Sequence, residues 1–198
     1  MEKVFLPGSV GDTLTQMVGV WHDHINVYSL AGEPLSEDAM SGTRGDAPFD
    51  NLVYIDFDGM HYRQTNVTFR GRPMHYRSFT GKLQDGILRF GTLGPKDPAH
   101  IGISGGPSRI IFCGQKITQA WQNYAEPDFI HLPHPGVRYR TTLLYRNGQA
   151  VRSLVACGTK VSPDPTRRFY MDPRGQDGPV HEALKETYVF SESDTEKE

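Results

Sequence analysis

His22 and His24 stand two residues apart in the stretch Met17-Val18-Gly19-Val20-Trp21-His22-Asp23-His24-Ile25-Asn26-Val27-Tyr28. Period-two spacing puts both imidazoles on one face of an extended strand, with Asn26 and Tyr28, while Trp21, Asp23, Ile25 and Val27 take the other. One face is mostly apolar and the other is a ladder of hydrogen-bonding groups. Histidine is the side chain best suited to moving a proton near neutral pH, so His22 or His24 is a candidate general base and Tyr28 a candidate orienting group. Asp23, Asp56 and Asp58 are candidate carboxylate partners, although Asp23 has the opposite parity and cannot touch the histidines within one strand. The same spacing suits joint ligation of a metal, with His61 or His75 as a third ligand. The fixed loop spacing of a zinc site is missing, so the chain is read as free of metal and cofactor.

A second group of side chains has the chemistry to hold a ligand. Tyr62, Gln64 and Asn66 alternate along one strand face, Tyr76 belongs to the next extended stretch, and Trp121 shares a parity with Gln119 and Asn123. Tyr139 and Arg140 lie on a later strand on opposite parities. Such residues either line a polar interior or form the outward face that Thr, Gln, Arg, Tyr and His commonly occupy. Periodicity leaves both readings open.

The elements that would position these groups are strands. With 21 glycines and 14 prolines and almost no long helical periodicity, the chain reads as all-β, preceded by one short helical turn around Gly11-Asp12-Thr13-Leu14-Thr15-Gln16. Asp58-Gly59, Asp85-Gly86 and Asn147-Gly148 are tight-hairpin dipeptides. They join strands expected over 52–57 and 60–69, 74–83 and 87–91, and 137–146 and 149–161. A further pair is expected over 109–113 and 116–124. Residues 31–50 and 92–108 read as long loops, the Gly102–Pro107 segment as a mobile lid, and His131-Leu132-Pro133-His134-Pro135 as a rigid turn. Residues 183–190 read as a short helix or a last strand. The sum is about 8–10 strands joined in sequence, the pattern of an up-and-down antiparallel barrel, with a sandwich as the alternative. The expected organisation is one domain over 1–190 and an acidic, disordered tail over 191–198.

Composition excludes several classes. A net charge of −2 on 198 residues, with basic and acidic side chains interspersed, disfavours nucleic acid as a partner. No run approaches the ~18 apolar residues of a membrane span. The apolar run near Val4-Phe5-Leu6 is too short for a secretory signal, so a cytoplasmic location is expected and Asn66-Val67-Thr68 is read as a chance match to a glycosylation acceptor. Cys113 and Cys157 lack metal-ligand spacing and are expected as buried free thiols, with a disulfide as the alternative. There is no Gly-x-Ser-x-Gly elbow, which argues against hydrolase chemistry of that kind.

Gly19-Val20-Trp21 at the start of the first strand resembles the Gly-x-Trp signature of lipocalins and the wider calycin superfamily. Tyr62-Arg63-Gln64-Thr65-Asn66, with the later hairpin over 139–161, is similar to bacterial lipocalin-like proteins of unassigned function, akin to fatty-acid-binding proteins and S-type phycobiliprotein lyases. The resemblance implies a calycin-like barrel enclosing a small organic molecule. It also implies that Trp21 closes the barrel base against a basic residue from the last strand, for which Arg152, Arg167 and Arg168 are candidates.

Two functions follow as expectations. One is a barrel that binds a hydrophobic or amphipathic organic ligand through Tyr62, Gln64, Asn66, Tyr76, Trp121, Tyr139 and Arg140. The other is a cofactor-independent cyclase, isomerase or lyase of small-molecule biosynthesis, working in the same cavity with His22 or His24 as base. Polar groups converging from several strands would favour the second, and an oily interior with one basic anchor a simple carrier. Barrels of this type can also pair as homo- or heterodimers through outer strand faces, which an apolar outer patch would mark.

Overall fold

Ser9 starts the first element. Its hydroxyl accepts from the Asp12 amide at 3.2 Å, and Asp12 Oδ2 accepts from the Gly8 amide at 2.8 Å, which fixes the entry to helix α1 (Val10–Met17). Val10, Leu14 and Met17 recur at helical spacing and are buried. A helix of eight residues does not hold itself together in water, so this buried face is what maintains it. Its last turn carries no basic residue; the cation comes instead from Lys160, whose Nζ donates to the Gln16 and Val18 carbonyls at 2.8 Å each.

The computed structural model describes residues 4–35, 48–69, 75–92, 100–114, 125–146 and 149–169. After α1 come β1 (Gly19–Tyr28), β2 (Phe49–Phe57), β3 (His61–Phe69), β4 (His75–Gln84), β5 (Ile87–Gly91), β6 (His100–Ser104), β7 (Arg109–Gly114), β8 (Ala125–His134), β9 (Val137–Arg146) and β10 (Gln149–Ser162). Each strand pairs antiparallel with its neighbours in sequence, and β1 pairs with β10 from Val20↔Ser162 to Tyr28↔Ser153. That ladder closes the sheet and leaves it no edge. Among the described residues the fold is therefore an all-β, ten-stranded antiparallel barrel with one short helix, and the sandwich alternative is excluded. No described helix is long and apolar enough to cross a membrane.

Turn chemistry explains most boundaries and corrects some. Asp85 and Gly86 both take positive φ, 52° and 73°, as a two-residue hairpin of that type requires. At Asp58-Gly59 only Gly59 does; Asp58 instead turns the chain through its side chain, accepting from the Met60 and His61 amides at 2.9 and 2.7 Å. Asn147-Gly148 lies outside the described residues, as do the strand expected over 116–124, the element expected over 183–190 and the acidic tail.

Three supposed loops carry strand. The long loop expected over 31–50 ends early, because β2 begins at Phe49. The one expected over 92–108 contains β6, so Gly102–Ser104 is barrel wall, not a lid. Ser104 Oγ further ties this corner to the base by donating to the Gly8 carbonyl at 2.6 Å. His131–His134 belongs to β8, and the turn is Pro135-Gly136, with Gly136 at φ 89°.

Inward parity sorts the interior by height. At the α1 end, Val10, Leu14, Met17, Trp21, Val53, Ile55, Phe57, Leu88, Phe112 and Leu132 form one apolar cluster. Toward the other end Ile25, Val27, Phe49 and Ala156 form a second, with Leu35 and Leu154 packed on it. Cys113 is half-buried and Cys157 exposed, and no disulfide joins them, so neither the buried pair nor the disulfide is present.

Candidate functional site

Trp21 marks the closed base. It is fully buried, its Nε1 donates to the Met17 carbonyl at 2.7 Å, and two cations lie over its ring, Arg138 Cζ at 4.7 Å and Lys160 Nζ at 4.9 Å. The last-strand basic residue is thus Lys160. Arg168 lies over Tyr54 at 4.8 Å on the outer side, in the wall of a groove of about 230 Å³, and Arg167 lies over Phe169 at 5.8 Å. Gly19 is required by the geometry: it takes φ 128°, and a side chain there would strike the Ser162 carbonyl.

Just above Trp21 the interior turns polar. Arg138 grips Asp23 with two hydrogen bonds, Nε to Oδ1 at 2.9 Å and Nη2 to Oδ2 at 2.7 Å, and the two side chains are 1% and 0% exposed. Arg140 bridges onward, from Asp23 Oδ2 at 3.2 Å to Asp128 Oδ2 at 2.7 Å, and Asp128 Oδ1 accepts from the Thr142 hydroxyl at 2.8 Å. Two carboxylates and two guanidinium groups make the network neutral. Burial alone would raise the Asp23 carboxyl, but the charges and hydrogen bonds of Arg138 and Arg140 outweigh it and hold the group below the ordinary carboxylate value. Burial works against the Arg140 cation, and Asp128 and Asp23 more than offset it.

Strand register makes room for this belt. Asp23 pairs with Gly158 and Gly158 with Arg138, so one cross-strand row reads carboxylate, hydrogen, guanidinium. A Cβ at Gly158 would collide with Asp23 Oδ1 and lie 2.8 Å from Arg138 Cγ. On the other side of Asp23, β2 contributes Asn51, its register partner, which is 6% exposed. From β3, the Tyr62 hydroxyl donates to Gln64 Oε1 and Gln64 Nε2 to Asn66 Oδ1 at 2.8 Å. Tyr62 is pushed well above its ordinary value, first by burial, with the charges of Arg138, Arg140 and Asp128 acting on it across the interior. It remains a neutral donor.

The facing wall is aromatic. Phe90 lies 4.8 Å from Phe112, 5.7 Å from Tyr62, 6.1 Å from Phe79 and 5.1 Å from His100, the last pair stacked at 24°. His100, on β6, is 8% exposed.

The structure therefore gathers Tyr62, Gln64, Asn66 and Arg140 on the inward parity. Tyr139 points out and is 48% exposed, Trp121 lies outside the described residues, and so does the side chain of Tyr76. His22, His24 and Tyr28 take the parity opposite Trp21 and Asp23, on the outer face. There His22 Nε2 and His24 Nδ1 share Asp50 Oδ1, at 2.9 and 3.0 Å. Among the described residues of β8–β10, Phe129, Tyr139, Val151 and Val155 are exposed large side chains.

Sequence reasoning took Asp23 only as a possible carboxylate partner of the histidines and passed over Asn51, His100, Asp128 and Arg138 as site residues. A lone acid between Trp21 and Ile25 on an oily parity, and two arginines two apart at 138 and 140, were the available signals. Nothing local announced Asn51, Asp128 or His100.

No family model matches the chain, and no curated protein matches it. Among the solved structures that share its fold are two at the same TM-score. One is a protein of unknown function of the DUF3598 family from Nostoc punctiforme, at TM-score 0.54 and 12% identity over 75% of this chain and 49% of that one. This chain spans about half of its length. The other is the S-type phycobiliprotein lyase CpeS from Guillardia theta, at TM-score 0.54 and 12% identity over 77% of this chain and 92% of that one. At 12% identity these likenesses concern the fold alone, and the closed ten-stranded antiparallel barrel of this chain fits a calycin-like fold.

Proposed function

We propose that the barrel interior takes up one small amphipathic organic molecule, its polar group against the Asp23–Arg138–Arg140–Asp128 belt and its body against Phe79, Phe90 and His100. The observation that carries this reading is the convergence of charged and amide side chains from β1, β2, β3, β8 and β9 opposite an aromatic wall. Eight strands already give an interior that side chains just fill or that holds one small ligand, and ten strands enclose more. The two arginines of the belt are already neutralised by Asp23 and Asp128, which makes them poor anchors for the carboxylate of a fatty acid. Fold likeness to a phycobiliprotein lyase supports the ligand-handling part of the reading.

Native mass spectrometry of the freshly purified protein tests it. One organic adduct per chain, released on denaturation, is expected; a protein that carries none and takes up none from an extract of its own cells would end the proposal.

A catalytic use of the same interior is favoured by His100, an imidazole inside the barrel where it can pass a proton to a bound molecule. His22 and His24, on the outer face, would need a second site for that role. If His100 is the base, His100→Phe retains the adduct and stops its conversion. Unchanged conversion in that variant would leave binding alone.

A further inference from the structure

Within that ligand-binding reading, the structure identifies the kind of polar group the belt accepts. Two buried atoms in the belt have no hydrogen-bond partner: Asn51 Oδ1, an acceptor on a residue 6% exposed, and Arg140 Nε, a donor on a side chain 17% exposed. Asn51 belongs to β2 and Arg140 to β9, and they stand on either side of Asp23. Asn51 is its register partner, and Arg140 donates to it. The charged groups around them are engaged with one another: Arg138 with Asp23, the remaining Arg140 nitrogens with Asp23 and Asp128, and Asp128 also with Thr142. A buried polar atom left unmade is costly, so an orphan donor and an orphan acceptor in one interior describe the complement of what binds there.

We propose that Asn51 Oδ1 and Arg140 Nε form a subsite for an uncharged group carrying both a donor and an acceptor, a carboxamide or its equivalent, and that the belt rejects the matching carboxylate. A carboxylate satisfies Arg140 Nε but sets lone pair against lone pair at Asn51 Oδ1, and it adds a third negative charge beside Asp23 and Asp128. An ammonium satisfies Asn51 and meets the Arg140 guanidinium. An amide satisfies both and leaves the network neutral. Specificity thus comes from mismatched hydrogen bonding in a dry interior, the strongest form of discrimination available to a neutral site.

The test uses the full-length protein, stripped of any co-purified molecule, and two isosteric probes with a planar aromatic body, cinnamamide and cinnamate, by isothermal titration calorimetry. Cinnamamide should bind about tenfold tighter than cinnamate or better, the factor that one unpaired buried atom produces. The preference should vanish in Asn51→Leu. It should also vanish in Arg140→Lys, which keeps a cation between Asp23 and Asp128 but removes Nε; folding of each variant is checked by circular dichroism. Equal or tighter binding of cinnamate overturns the subsite while the enclosed-ligand reading stands. A preference unchanged in both variants overturns it as well. If neither probe binds, the subsite falls: alone when the native protein carries an adduct, and together with the reading beneath it when the native protein carries none.

Discussion

Asp23 has no exposed surface and touches two guanidinium groups, so its charge is held entirely by Arg138 and Arg140. Asp23→Asn leaves Arg138 buried without a counter-charge and should cost about 3–5 kcal/mol, read from urea denaturation. The pH dependence has a definite sign. The folded carboxyl lies below its unfolded value of about 3.9, so its stabilising contribution is complete above that value and drains away as the pH falls toward the lower folded one. Denaturation midpoints measured from about pH 6 downward should therefore fall in the native protein, and that component should be missing from Asp23→Asn. Asn51→Leu makes a contrasting case, because it removes an unpaired buried acceptor; it should be neutral or stabilising by about 1 kcal/mol in the ligand-free protein. An acid among apolar neighbours was visible in the sequence at Asp23. Its partners were not, since they come from a strand whose inward parity composition cannot reveal, and Asn51 fell between a stretch read as loop to residue 50 and a strand read from Leu52.

At the scale of elements, the alternation that makes β1, β3 and β9 strands was plain in the residues, and so were the hairpins at Asp58-Gly59 and Asp85-Gly86. β6 and the C-terminal half of β8 were not. His100-Ile101-Gly102-Ile103-Ser104 and His131-Leu132-Pro133-His134 contain glycine or proline inside a strand, which locally favours a break; pairing on both sides overrides it in β6, and in β8 Pro133 falls where the register to β9 is irregular. The choice of face for β1 was undecidable from one strand, because it depends on Arg138 arriving from β9 to compensate Asp23. β10 shows how closely such strands are fitted. Gly158→Ala pushes a methyl group into the Asp23–Arg138 pair and should cost about 3 kcal/mol in thermal or chemical unfolding. The loss should not add to that of Asp23→Asn: the double variant should lie clearly above the sum of the two single losses in stability, since both act on one interaction.

For the molecule as a whole, the barrel class was legible from strand count and sequential turns, and closure was a bet on where the first and last strands would meet. Removing the chain after Arg146 deletes β10, bares the edges of β1 and β9, and takes away the Lys160 cation above Trp21. Such a truncation should lose cooperative unfolding and go to the insoluble fraction. The β1–β10 ladder also sets a timetable for biosynthesis. Asp23 leaves the ribosome 115 residues ahead of Arg138, at least several seconds at ordinary elongation rates of about 5–20 residues per second. Through that interval the first strand's carboxylate has only water for company, and one of its sides is open to any passing chain. Yield in the cell should then depend less on how stable the finished protein is than on what shields its opening strand while the last is still being made.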